Sequence, residues 1–430
     1  MQLLFLVFSQ ASLRAFGGIS FLPPRPFSAI SAVKGFFARR LDSCSYHGTL
    51  SMETKPHIAV IGAGAFGGWT ALHLLERGAR VTLLDAWGPG NSRASSGGET
   101  RVMRGTYGPD QPYTEMAARA LKLWQTYERR WKRQFLHRSG VLWMASGRGD
   151  AFERGSVEML RRAKIKVQEL STTQMRKRWP QINFEGIQWG IFEPECGYLD
   201  ARASCQAVVE AFVAARGKYR QVVVLGDGLE NGSLRALELS DGSRLKADCY
   251  VFACGPWLGK LFPKAVGDLV RPTKQDVFFF GTPAGDDRLS NALMPVWADH
   301  RGRFRYGIPG SDRRGFKIAD DTRGPAFDPT NGERIVSQET LRDIREYVGF
   351  RFPALKDAPL VETRVCQYEQ TPDSHFILDR HPAMENVWIV GGGSGHGFKH
   401  GPAVGEMMTE LILKKREPDA IFQLGRFKKP

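Results

Sequence analysis

Three glycines at G-x-G-x-x-G spacing, Gly62, Gly64 and Gly67, and an acid at Asp85 form the pattern in this chain that most directly implies chemistry. Such a loop suits a pyrophosphate. The first glycine makes a tight turn, the second lets backbone approach the phosphates, and the third lets the following helix pack on the preceding strand. Free N–H groups across Gly62, Gly64, Ala65, Phe66 and Gly67, with the positive end of the helix dipole, would face the anion. Asp85 stands where a ribose hydroxyl could donate to it. Glycine is common in turns, so an empty Rossmann-like scaffold is the alternative. What favours a bound dinucleotide is that strand, glycines, helix, strand and acid fall in order. A second glycine-rich stretch, GGGSGHGFKHGPAVGE at 391–406, places Gly395, Gly397, Phe398 and Lys399 before a helix. It too could be an ordinary turn. A reduced flavin, however, carries negative charge on its pyrimidine side that a helix N-terminus stabilises, so two separated glycine loops favour FAD over NAD.

The elements that must carry these loops follow from periodicity. The apolar run 58–61 reads as a buried parallel strand, and Ala71, Leu72, Leu74 and Leu75 mark a helix stopped by Gly78. Residues 81–84 form a second strand, and 86–108, rich in Gly, Ser and Arg, read as a loop folded over phosphates and ring. Met116, Ala120, Leu123, Trp124, Tyr127 and Trp131 share one face of a long helix. A strand at 141–145, helices at 151–163 and 203–215, and a helical stretch ended by Arg178-Trp179-Pro180 follow. A strand at 221–225 opens a hairpin-like stretch with turns at Asp227-Gly228, Asn231-Gly232 and Asp241-Gly242. Residues 249–253 read as another buried strand. Alternation at 275–281 and 303–308, with a helix at 337–348, predicts a mixed or antiparallel sheet. A strand at 387–390 and a helix at 402–413 return to the nucleotide unit. The expected fold class is α/β plus α+β. Its Rossmann-like FAD-binding domain is discontinuous (55–140, 196–266 and 361–430), and a substrate domain with a mixed or antiparallel β-sheet takes 141–195 and 267–360.

A chain of 430 residues, 42% hydrophobic, can bury the cores of two domains. Its 60 basic and 45 acidic residues give a formal charge of +15, but the basic residues are scattered. No basic run or aromatic-basic alternation points to nucleic acid; an anionic cofactor and an anionic substrate would suit the excess. The six cysteines show neither C-x-x-C pairs nor metal-ligand spacing, so no metal is expected and a reducing compartment is the default. Residues 1–54 read as an N-terminal extension. The basic, serine-rich composition of residues 1–51 is transit-peptide-like, which would mean a mitochondrial address, whereas a true start at Met52 would leave a soluble protein, cytoplasmic by default. No apolar run reaches membrane-spanning length.

The later motifs are recognisable. VCQYEQTPDSHFILDRHP (365–382) and SGHGFK (394–399), with ETRVMR (99–104) and GFK (315–317), closely resemble the monomeric sarcosine oxidase family, which includes N-methyltryptophan, pipecolate and fructosyl amino acid oxidases. The resemblance runs from about Lys55 through nearly the whole chain. It implies a monomer that binds FAD and oxidises a secondary or N-substituted amino acid to an imine, with oxygen as acceptor giving hydrogen peroxide. A dehydrogenase using another acceptor is the alternative. It also implies that Cys366, two residues before Tyr368, is joined through sulfur to the flavin, as a nucleophilic thiolate could be; a lone cysteine is otherwise commonly a buried structural residue. Arg104 and Lys399 match the clamp on the substrate carboxylate. Lys317 matches the cation that promotes reaction with oxygen, and Arg101 the arginine beside the same flavin face. Tyr306 and Tyr368 match pocket tyrosines, or are core aromatics. Two positions depart from the sarcosine pattern: Gly97 and Asp321 stand where histidines are expected. With a Trp297 region also unlike the sarcosine-type lining, a differently shaped amine is expected.

Overall fold

The computed structural model describes residues 55–430 except 148–149, 227–232, 301, 311–313, 415 and 429–430. The extension 1–54 and the turns expected at 227–228 and 231–232 lie outside the described residues.

A six-stranded sheet runs in the order Ile377–His381, Met384–Gly391, Cys249–Phe252, His57–Ile61, Arg80–Asp85, Lys218–Gln221. All its pairings are parallel except that between Ile377–His381 and Met384–Gly391. Its inner strands are buried on both faces, which is why they read as continuous apolar runs. The helix Ala65–Glu76 follows the first strand and is closed by Gly78, whose φ of 88° suits glycine. It packs against the helices Ala201–Ala214 and Gly401–Ile412. The second contact is close enough that a Cβ on Gly405 would stand 2.6 Å from the Trp69 backbone. The strand order reverses at His57–Ile61, with later strands on both sides, and this leaves a crevice beyond the carboxyl ends of the strands.

An eight-stranded sheet faces different work. Its order is Leu360–Gln370, Arg271–Phe280, Phe316–Asp320, Arg305–Ile308, Val296–Asp299, Val141–Ala145, Trp189–Glu193, Gln168–Ser171. The sheet is antiparallel apart from the Val296–Asp299 and Val141–Ala145 pair. The helix Gln338–Arg351, capped by Ser337, is fastened to it by a buried pair: Arg351 lies 2.7 Å from Asp299, which also accepts from Tyr347 at 2.9 Å.

Two local expectations need correction. The strand placed at 221–225 lies at Lys218–Gln221, because its register is set by pairing with Arg80–Asp85. Val222, Val223 and Val224 are apolar for another reason: they line the crevice. The segment 86–108 is not all loop. Thr100–Met103 is a strand of a small three-stranded sheet, paired with Gly197–Asp200, and this fixes Arg101 and the start of Arg104.

Candidate active site

The crevice encloses about 1260 Å³ of empty space, counting its open mouth. Gly62 has φ 105°, and a Cβ there would stand 2.3 Å from the Ala253 carbonyl, so only glycine lets this turn pass the neighbouring strand. A Cβ on Gly67 would lie 1.9 Å from the Gly62 carbonyl; the first helical turn is pressed onto the loop. Gly64, Ala65, Phe66 and Asp85 line the crevice, while Gly67 lies beneath it. Asp85 Oδ2 accepts from the Ala63 N–H at 2.7 Å, and Oδ1 accepts from Trp87 at 2.9 Å and Gly88 at 2.7 Å. Burial raises its pKa and these N–H groups oppose the shift. Gly393, Gly395, Gly397, Phe398, Tyr368 and Glu369 complete the lining.

Ser95 Oγ and Glu369 Oε2 are buried without a partner, and both residues line this crevice. Leaving such a group unpaired costs about 1–3 kcal/mol, so polar atoms like these point to a ligand that satisfies them. Burial pushes the Glu369 carboxyl up to about 7, against hydrogen bonds from the Gly393 and Gly392 backbone. With a glycine cradle, a helix start and an acid at the second strand end, these residues fit FAD. Neither Ser95 nor Glu369 was singled out by sequence. The available signal was an acid inside the buried end of the strand Leu360–Gln370.

A second cavity of about 620 Å³, measured the same way, shares Arg101, Gly395 and Phe398 with the crevice, so the two adjoin. Arg104, Lys399, Lys317, Tyr306, Asp321, His396 and Trp297 also line it. The Arg104 guanidinium lies 4.5 Å from the Tyr107 ring centroid and 5.2 Å from that of Trp143, and donates to the Thr106 carbonyl. Buried Glu193 fixes that loop, accepting from Gly105 N at 2.7 Å and from Thr106 Oγ1 at 2.6 Å. Lys399 Nζ donates to the Tyr107 hydroxyl at 2.8 Å and the His396 carbonyl at 2.7 Å. Burial, then the charge of Arg104, hold its pKa well below the usual lysine range. Tyr107 also meets His400 Nε2 at 2.8 Å. Burial and the Lys399 charge push His396 down to about 3, so it is neutral at ordinary pH. Tyr107, Glu193, His396 and His400 were not anticipated as site residues, although both histidines sit inside the quoted glycine motif.

Lys317, 5% exposed, donates from Nζ to the Thr100 carbonyl at 2.9 Å. Burial, and next Arg101, pull its pKa down to about 7. Arg101 donates to the Thr100 and Ser95 carbonyls, and its Nη2 lies 3.4 Å from Cys366 Sγ. Cys366 is half-buried, opposite Gln275 in the sheet, and packs on Val277, Phe279 and Ala319. It is not among the lining residues of either cavity; Arg101, its neighbour, lines both. The Tyr368 hydroxyl donates to Asp321 Oδ1 at 2.7 Å and is hydrogen-bonded to Tyr306. Burial takes Tyr306 up to about 12 and Asp321 up to about 6, the latter opposed by the Tyr368 bond, Arg104 and Lys399. At Gly97 even a Cβ would stand 1.8 Å from the Asn91 carbonyl, so this backbone has no room for a histidine. Among the described residues, no group of three His, Cys, Asp or Glu could hold a metal ion, and no helix is long and apolar enough to cross a membrane.

Residues 57–411 match the model of the family described as DAO, FAD dependent oxidoreductase. The chain is 31% identical over 382 residues to monomeric sarcosine oxidase of Bacillus sp. (strain B-0618), covering 87% of this chain and 97% of that one. It is 28% identical to human (Homo sapiens) peroxisomal sarcosine oxidase, over 86% and 95% of the two chains. Its fold is similar to that of L-proline dehydrogenase from P. horikoshii, with a TM-score of 0.76 at 22% identity, over 87% of this chain and 98% of that one.

Proposed function

The chain belongs to the DAO family of FAD-dependent oxidoreductases, and from that premise we propose that it oxidises a secondary or N-substituted amino acid to an imine, which water then hydrolyses. One observation carries this reading. Arg104 and Lys399, nearly three hundred residues apart in sequence, converge in a cavity that adjoins the crevice fitted to the cofactor. A half-buried guanidinium and a buried amine, both held by neutral partners, suit a carboxylate, with the guanidinium giving directed hydrogen bonds and the lysine, when protonated, a point charge. The reading agrees with what the similar sarcosine oxidases are named for.

FAD, when bound, supplies the two-electron acceptor for the C–H bond beside the amine nitrogen. The chain does the rest. Gly62, Gly64, Ala65, Phe66 and Gly67 offer the cradle for the phosphates, and Asp85 the end nearest the ribose. Gly395 and Phe398, which line both cavities, would separate cofactor from substrate, with Gly397 on the cofactor side. Tyr306 lines the substrate cavity, and Tyr368, which lines the crevice, donates its hydroxyl to the Asp321 carboxylate of that cavity. Cys366 is proposed as a covalent anchor, supported by its match to the flavin-linked cysteine of the resembling family and by the Arg101 guanidinium 3.4 Å from its sulfur. Lys317 and Arg101 provide positive charge where oxygen would acquire negative charge, which supports oxygen as acceptor. The cofactor unit is assigned to the six-stranded sheet with its helices and the substrate unit to the eight-stranded sheet. Several similar bacterial sarcosine oxidases are named monomeric, which supports a monomer.

An anaerobic screen of secondary and N-methyl amino acids, followed by loss of flavin absorbance, tests the reading. At least one carboxylate-bearing amine should bleach the flavin and its carboxylate-free analogue should not. Bleaching by simple amines and by no amino acid would sink it.

A further inference from the structure

Asp321 places one negative charge in a cavity that Arg104 and Lys399 make positive. It is the sole carboxylate among the residues lining that cavity. It directly follows the strand Phe316–Asp320 that carries Lys317, and its N–H donates to the Phe304 carbonyl at 2.8 Å. Oδ1 accepts from the Tyr368 hydroxyl at 2.7 Å. Among the described residues nothing donates to Oδ2, and Asp321 enters no ion pair; the half-buried carboxylate is open on its cavity side. The charged and titratable groups around it are Arg104, Lys399, Tyr368, Tyr306, Tyr107 and the adjacent Asp320, and Arg101, Lys317 and His396 line the same cavity. Asp320 is already paired, with Arg303 at 2.8 Å.

An amino acid entering this cavity carries a carboxylate and, in its ordinary form, an ammonium group. Arg104 and Lys399 answer the first charge. We propose that Asp321 answers the second: its open oxygen receives the substrate ammonium, so that the cavity selects zwitterions, and then takes one of its protons. In that step an N–H bond breaks, its electron pair stays on nitrogen, and an O–H bond forms on Asp321. The result is a neutral amine, whose lone pair its own oxidation requires, beside a neutral carboxylic acid. The inference rests on the amino-acid reading above and deepens it. A carboxyl that burial has raised to about 6 is still ionised at neutral pH, and is more basic than an exposed aspartate.

Two ligands that share a carboxylate separate the outcomes. Betaine has a cationic nitrogen with no lone pair, so it cannot be oxidised; methylthioacetate has a neutral sulfur in its place. Each is titrated into the flavin-loaded enzyme while the flavin spectrum is followed. Asp321→Asn should lower the preference for betaine over methylthioacetate by about tenfold or more, roughly 1.4 kcal/mol, with methylthioacetate unchanged or bound more tightly. In the unaltered enzyme, methylthioacetate should bind more weakly as pH rises from about 5 to about 7 and the carboxyl ionises, and Asp321→Asn should flatten that dependence. Should that variant fail to hold flavin, Asp321→Ser takes its place in both measurements. Tight methylthioacetate binding with no pH dependence, no binding of betaine, or an unchanged preference overturns the role of Asp321 and leaves the amino-acid reading standing. If neither ligand perturbs the flavin, both fall together.

Discussion

At the scale of single residues, Lys317 shows how burial sets chemistry. An ammonium beside Arg101 in a dry site releases its proton near neutrality, and when charged it is the group proposed above to promote reaction with oxygen. Lys317→Met is expected to slow reoxidation by oxygen about 10²–10³-fold while leaving anaerobic flavin reduction nearly intact, as stopped-flow traces of the two half-reactions would show. The same residue links pH to stability. In the unfolded chain the amine keeps its proton to about pH 10.4, whereas in the fold it loses it near 7. Between those values the unfolded chain binds more protons, so stability rises with pH across that window. The melting advantage of flavin-free Lys317→Met over flavin-free wild type should therefore be greatest below pH 7 and shrink towards pH 10. For the clamp, Arg104→Ala and Lys399→Ala should each weaken a carboxylate inhibitor by about 2–5 kcal/mol, measured by flavin difference spectra. The residue types at these positions were legible in the sequence. The states of Asp321 and Glu369 were not, because each depends on groups delivered by several distant segments.

At the scale of elements, the glycine loop was readable almost to the atom. The turn at Gly62 and the tight packing at Gly67 are consequences of backbone geometry that a spacing pattern encodes directly. Gly62→Ala should yield colourless protein with a lowered melting temperature, since the new methyl meets a backbone carbonyl that cannot move away without disturbing the strand Cys249–Phe252. Retained flavin at wild-type stoichiometry would contradict that account of the cradle. Elsewhere local pattern misled. The valines at 222–224 suggested a strand, but they are apolar because they face the cofactor crevice, while the true strand is specified by its partner Arg80–Asp85. Thr100–Met103 was hidden in a Gly-, Ser- and Arg-rich stretch, because its pairing partner Gly197–Asp200 lies nearly a hundred residues away.

For the molecule as a whole, the order of the eight-stranded sheet could not have been read from sequence, because strands between Val141 and Gln370 meet by pairings that only tertiary packing selects. The long strand Leu360–Gln370 belongs to that sheet yet sends Gln367, Tyr368 and Glu369 into the crevice, so cofactor and sheet stability are coupled. Cys366→Ala tests the anchor and the coupling together. Its acid-precipitated pellet should be colourless where the unaltered protein stays yellow, and added FAD should raise the variant's melting temperature in a concentration-dependent way. A yellow pellet from the variant would place the anchor elsewhere.

Asp85 holds three backbone N–H groups from the two turns that frame the phosphate cradle. One side chain thus braces both jambs of the doorway from within, through hydrogen bonds that the chain itself supplies. Such a protein behaves as a socket rather than a mould. If Cys366 is the anchor proposed above, Cys366→Ala should let synthetic flavins with altered rings be exchanged into the folded protein by soaking, without refolding it around each one.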